Sequence, residues 1–142
     1  MHSKQMEGAQ NKIISADEHP HLIKAQGMAR LIKAGLNSYR AICWLCKHEA
    51  AFRQEILLLA ILLPVPLLLD LSLGGRLAMI ISLLLIPLVE ILNTAIEAVV
   101  DRIGPQFHPL SGLAKDLGSA AVLLSMLIAS LVWGLSLYDY WA

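Results

Sequence analysis

Three stretches of the chain carry almost no polar side chain. ILLLAILLPVPLLLDL covers residues 56–71, LAMIISLLLIPL opens a second stretch at Leu77 that runs to Val100, and LGSAAVLLSMLIASLVWGLSL fills 117–137. A helix needs about 20 apolar residues to cross the hydrocarbon of a bilayer. The second and third stretches meet that length. The first meets it only if the preceding EAAFRQE (49–55) is helical and continues into it, and Pro64 and Pro66 should kink or end it early. Spans are therefore expected at about 50–70, 77–100 and 117–138. Between them, DLSLGGR predicts a tight hairpin, and DRIGPQFHPLSGLAKD (101–116), with Gly104, Pro105, Pro109 and Gly112, predicts a longer loop. Ahead of the spans, Arg30, Lys33, Asn37, Arg40 and Lys47 share one broad face at about 100° per residue, with Leu31, Leu36, Ile42, Cys43 and Cys46 largely elsewhere. This predicts a basic amphipathic helix over 29–48 lying on a membrane surface. The fold class is an all-α membrane protein: three transmembrane helices plus an N-terminal amphipathic surface helix.

Composition agrees. The 142 residues are 57% hydrophobic and 15% charged, against about a quarter charged in soluble domains. Net charge is zero and aromatics make up 6%, which gives nucleic acid neither a field nor a stacking surface. The polar stretch 1–28 lacks the apolar core of a signal peptide and is expected to be a flexible tail. Cys43 and Cys46, in CWLC, lack the βαβ context of a redox pair and the four ligands of a zinc site, and read as small apolar residues on a helix. Trp133, Tyr138, Tyr140 and Trp141 cluster at the end of the third span, as in an interfacial aromatic belt. Eight of the eleven Lys and Arg precede the first apolar stretch, Arg76 follows it, Arg102 and Lys115 lie between the second and third, and none follows the third. The positive-inside rule then places the N-terminus and the 101–116 segment in the cytoplasm.

The second span ends in VEILNTAIEAVVDRIG (89–104). On a helix Glu90, Asn93, Glu97 and Asp101 fall within about 80° of one another. An ionised side chain at the bilayer centre costs at least about 2.5 kcal/mol, so glutamates here need a partner, a proton or a metal. Carboxylates can pair with bases on neighbouring helices and merely specify assembly. The spans offer few bases, with Lys115 the nearest, so excess negative charge remains for a divalent cation carrying phosphate oxygens. Glu49, Glu97, Asp101, Lys115 and Asp116 are all expected near the inner interface, with Glu90 two turns deeper. That arrangement fits chemistry between a water-soluble anion and a lipid. The chain carries no P-loop and no protein-kinase motif.

EAAFRQE (49–55), VEILNTAIEAVVDRIG (89–104) and LSGLAKDLGSAAVL (110–123) together resemble the small integral-membrane diacylglycerol kinases of Gram-negative bacteria, over roughly residue 30 to the C-terminus. The resemblance implies a homotrimer of three-span subunits in the bacterial inner membrane, with active sites shared between subunits. It implies transfer of the γ-phosphoryl of MgATP to diacylglycerol, giving phosphatidic acid. Glu90 matches the catalytic base, Glu49 and Glu97 the Mg²⁺-binding carboxylates, and Asn93 the asparagine beside the base, with Asp101 in support. Lys115, Asp116 and His108 match nucleotide-binding residues; Arg30, Glu55 and Ser119 match residues implicated in nucleotide or lipid contact. Asn37 stands where enteric members usually have tyrosine, and Gln106 where they have an acidic residue. Two alternatives stay open: a related undecaprenol kinase, and a non-catalytic membrane assembly or metal-binding protein.

Overall fold

The computed structural model describes residues 27–104, 106 and 108–142. The expected tail over 1–28 lies almost wholly outside them. Among the described residues the chain forms five helices and no strand: α1 (Gly27–His48), α2 (Ala50–Leu62), α3 (Val65–Leu68), α4 (Leu73–Ile103) and α5 (Pro109–Trp141). They fall into two compact units, one ending at Trp44 and one running Leu45–Ala142.

In the first unit α1 is a lone helix whose Met28, Leu31, Ile32, Leu36, Tyr39 and Ile42 are all exposed. Those apolar side chains gather on the side away from Arg30, Lys33 and Arg40, the distribution of a helix that lies in a bilayer surface. Cys43 and Cys46 are exposed free thiols.

The second unit holds three helical stretches long and apolar enough to cross a membrane: Ala50–Leu68, Leu73–Ile103 and Pro109–Trp141. The first is interrupted as its prolines require. Pro64 and Pro66 donate no main-chain hydrogen bond, so α2 stops at Leu62 and one turn, α3, follows with Pro66 in its first positions. Arg76 steadies this break by donating from Nε to the Pro66 carbonyl (3.0 Å) and from Nη2 to that of Leu69 (3.3 Å). Arg76 is thus on α4 rather than in a loop, because Ser72 caps α4 by accepting from Gly75 N–H (3.2 Å).

Most of the packing joins α4 to α5. Along α4 Met79, Leu83, Ile86, Glu90 and Asn93 are buried at alternating steps of four and three, with Ser82 buried beside Leu83. On α5 Gly118, Ser125 and Ala129 are buried in the same rhythm. A mean repeat of 3.5 residues keeps one seam of each helix facing the other, and the small residues of α5 let the two backbones approach closely. Leu83, Ile86 and Ala129 form the core, with Leu59, Leu62, Leu63 and Trp133 packed on it. Many other leucines stay exposed, Leu57, Leu84 and Leu131 among them. In hydrocarbon a leucine gains little by leaving lipid for protein, so fit along the seam holds the helices together.

Two expectations need correction. The connection between the second and third spans is not a loop over 101–116; it is limited to 104–108, with helix on both sides. At 1.5 Å per residue α4 is about 46 Å long and α5 about 50 Å, whereas the hydrocarbon core is about 30 Å thick. Hydropathy marks only the part of a helix in lipid, and these helices continue past it. Gly104, with φ 147°, supplies the backbone that stops α4. The second correction concerns Trp133. Its indole N–H donates to the Met79 carbonyl (3.2 Å), which draws it into the α4–α5 packing and out of the exposed aromatic cluster. Tyr138, Tyr140 and Trp141 remain exposed.

Candidate active site

Glu49 is the one residue between α1 and α2, and its extended backbone (φ −100°, ψ 116°) makes it the N-cap of α2. Its carboxylate caps nothing and is left available. Arg53, one turn on, donates to the carbonyls of Cys46 and Lys47 at 3.4 Å. Glu55 follows on the inward face of α2, 6% exposed, and neither carboxylate oxygen has a hydrogen-bond partner.

Glu90 and Asn93 hold consecutive seam positions of α4 and are 6% and 8% exposed. Helical spacing then places Glu97 on the same stripe, where it is half-buried. Asn93 Nδ2 donates to Glu97 Oε1 (3.3 Å), while its Oδ1 is buried without a partner. Glu90 lies within electrostatic range of Glu49, Glu55 and Glu97. Glu90 thus sits at the centre of three other carboxylates drawn from α2 and α4.

The base expected nearby is Lys115. Its Nζ meets Asp101 Oδ1 at 2.5 Å and feels the field of Glu97. The pair bridges the ends of α4 and α5 in water, its two side chains 40% and 66% exposed. Such an exposed pair is screened by water and weakly held. His108 accepts from Leu110 N–H through Nδ1 (3.2 Å) as the N-cap of α5. It also lines a groove of about 720 Å³ with Gly104, Gln106, Ser111 and Ala114. Asp116 and Ser119 are exposed, off the seam. Arg30 belongs to the other unit.

The residues that match family members thus separate into a buried group (Glu55, Glu90, Asn93), a half-buried pair at its edge (Glu49, Glu97) and a hydrated group at the hairpin end (Asp101, His108, Lys115, Asp116). The model of the prokaryotic diacylglycerol kinase family matches residues 36–137, from within α1 to near the end of α5. The chain belongs to that family. It is 44% identical over 114 residues to the diacylglycerol kinase of Escherichia coli K12, covering 80% of this chain and 93% of that one. It is 44% identical over 115 residues to that of Pseudomonas aeruginosa PAO1 (80% and 94%). The Helicobacter pylori 26695 protein is 39% identical over 113 residues (78% and 87%).

Among the described residues no three His, Cys, Asp or Glu side chains converge on one metal-sized site. The resemblance implies Mg²⁺ arriving with a nucleotide. This ion keeps water and phosphate oxygens and takes one or two carboxylates, where a dedicated protein cage would need more. Glu49 and Glu97, partly hydrated and flanking Glu90, fit that donor set. One contact at the site escaped the sequence: Gly118 packs directly against Asn93. Its only sequence signal is a small residue in an apolar span.

Proposed function

We propose that this chain is a lipid kinase that transfers the γ-phosphoryl of MgATP to the hydroxyl of 1,2-diacylglycerol, giving phosphatidic acid and ADP. The observation that carries this is the graded stripe: a carboxylate buried at lipid depth, continuous along one helix face with half-buried and then hydrated polar groups. Membership of the family supports the same conclusion.

Glu49 and Glu97 hold the metal–phosphate end, and Mg²⁺, when bound, offsets the charge of the β- and γ-phosphates. Lys115 leaves Asp101 to neutralise a phosphate oxygen, with His108 and Asp116 beside it. Arg30, Glu55 and Ser119 serve nucleotide or lipid contact. The lipid hydroxyl oxygen attacks the γ-phosphorus as the bond from phosphorus to the ADP oxygen breaks. The hydroxyl proton passes to Glu90, which is buried away from water and is met by an alcohol arriving through lipid. Positioning and charge neutralisation carry most of the work in phosphoryl transfer, which is why so few groups suffice.

The kinase domain is residues 29–142. We place it in the inner membrane as a homotrimer with the N-terminus cytoplasmic, and with sites completed at the borders between subunits. The test is purified protein in mixed micelles with MgATP and a panel of lipid alcohols. Phosphatidic acid is the expected product. Turnover of undecaprenol alone, or of neither lipid by a folded protein, would overturn the proposal.

A further inference from the structure

Gly118 is buried on α5 opposite Asn93. A Cβ built on it would overlap Asn93 Oδ1 and stand 3.2 Å from Cγ and 3.7 Å from Cα. The side-chain carbonyl of Asn93 therefore fills the volume that any other residue at 118 would claim. That oxygen is buried and accepts no hydrogen bond, so packing alone holds it there. An amide is planar, and Oδ1 and Nδ2 diverge from Cγ at a fixed angle. Seating the oxygen against the Gly118 Cα thus aims the nitrogen along α4, where it donates to Glu97 Oε1 (3.3 Å) and lies in reach of Glu90.

We infer that Gly118 is a positioning residue of the phosphoryl-transfer site: by leaving room for the Asn93 oxygen, it orients the Asn93 amide that holds the Glu97 carboxylate toward the metal–nucleotide end. Of the other glycines of α5, neither Gly112 nor Gly134 has anything within 4 Å of its Cβ position, so within this helix the demand for a bare Cα belongs to this contact. A methyl at 118 must turn the amide about χ1 or χ2, since the opposing atoms include the α4 backbone. Glu97 then loses its donor, and the same amide leaves the reach of Glu90. The inference rests on the kinase proposal for what Glu97 does, and on geometry alone for what Gly118 does to Asn93.

The experiment is a double-mutant cycle on Gly118→Ala and Asn93→Ala. Two readings are taken of each protein in micelles: the thermal midpoint, and the KM for MgATP with kcat recorded separately. Gly118→Ala should lower the midpoint and raise KM about tenfold, the factor expected for a lost hydrogen bond to a charged group, with a smaller change in kcat. Asn93→Ala should raise KM similarly. The double variant should match Asn93→Ala in KM and recover the thermal midpoint lost in Gly118→Ala, because the methyl then has space. Equal penalties from Gly118→Ala in both backgrounds would show that it acts through helix spacing, and would overturn the inference. So would an unchanged KM in a folded Gly118→Ala protein. If the wild-type protein turned over no lipid, the kinase proposal would fail. The thermal cycle would still decide, through the presence or absence of recovery, whether Gly118 acts through Asn93.

Discussion

At the scale of single residues, the two glutamates of the α4 stripe have separable roles. Glu90→Gln keeps size and polarity but cannot take the proton, so kcat should fall by at least about 100-fold, the low end for general acid–base catalysis, with nucleotide binding little changed. Glu97→Gln removes a metal-side oxygen, so it should weaken MgATP binding and shift the Mg²⁺ dependence of the rate. Both variants lower the cost of burying charge, so each should be at least as stable as wild type. A Glu90→Gln protein with normal turnover per folded trimer would leave the stripe a purely structural role. His108 needs a finer cut, because it both caps α5 and lines the groove at the hairpin end. Asparagine is a good N-cap and alanine is a poor one, the difference being about 0.5–2 kcal/mol. His108→Asn should therefore keep the thermal midpoint yet raise the KM for MgATP, while His108→Ala loses on both counts. Normal KM in His108→Asn would confine the histidine to capping. The stripe was legible in the sequence because helical periodicity alone puts Glu90, Asn93, Glu97 and Asp101 on one face. The partner of Asn93 was not, because nothing local tells a glycine that packs from one that is merely small.

At the scale of elements, periodicity located all the helices, and hydropathy misjudged where two of them end. The lipid-facing parts of α4 and α5 stand out as leucine-rich runs, but the last turns of α4 and the first turns of α5 are polar and read as loop. The broken first span was legible because proline acts locally. The partners of α4 were not, since the 3.5-residue seam on α5 is marked by what is absent from its side chains. Ala129 tests that seam one turn above the site, where it meets Leu83 and Ile86 in the core. Ala129→Leu should cost about 1–3 kcal/mol by overpacking, seen as a lower thermal midpoint in detergent. The KM for MgATP of the folded fraction should hold. A shifted KM with an unchanged midpoint would contradict the division of the hairpin into a packed end and a chemical end.

At the scale of the whole molecule, one chain brings Glu90, Glu97, Asp101 and Lys115 into a single electrostatic neighbourhood. If sites are completed at the borders between subunits, mixtures of Glu90→Gln and Lys115→Leu chains, each inactive alone, should partly regain activity; no recovery in verified mixtures would argue against a shared site. Orientation is checked through Gln106, at the α4–α5 turn. A Gln106→Cys protein lacking Cys43 and Cys46 should resist an impermeant thiol reagent in intact spheroplasts and react once they are opened. Labelling from outside would invert the topology.

The excess length of α4 and α5 over the hydrocarbon has a further consequence. From Glu90 to Ile103 is 13 residues, about 20 Å of helix, so the base is suspended from the hydrated end of a rigid rod while the bilayer is a soft sheet that settles around it. Where that sheet lies is set by the apolar band of the helices against the local thickness of the membrane, at fractions of a kcal/mol per ångström of mismatch. The distance from Glu90 to the hairpin is fixed by the backbone, but the distance from Glu90 to the layer of lipid headgroups is not. A protein built this way carries a draught line, and the host membrane decides how deep it floats.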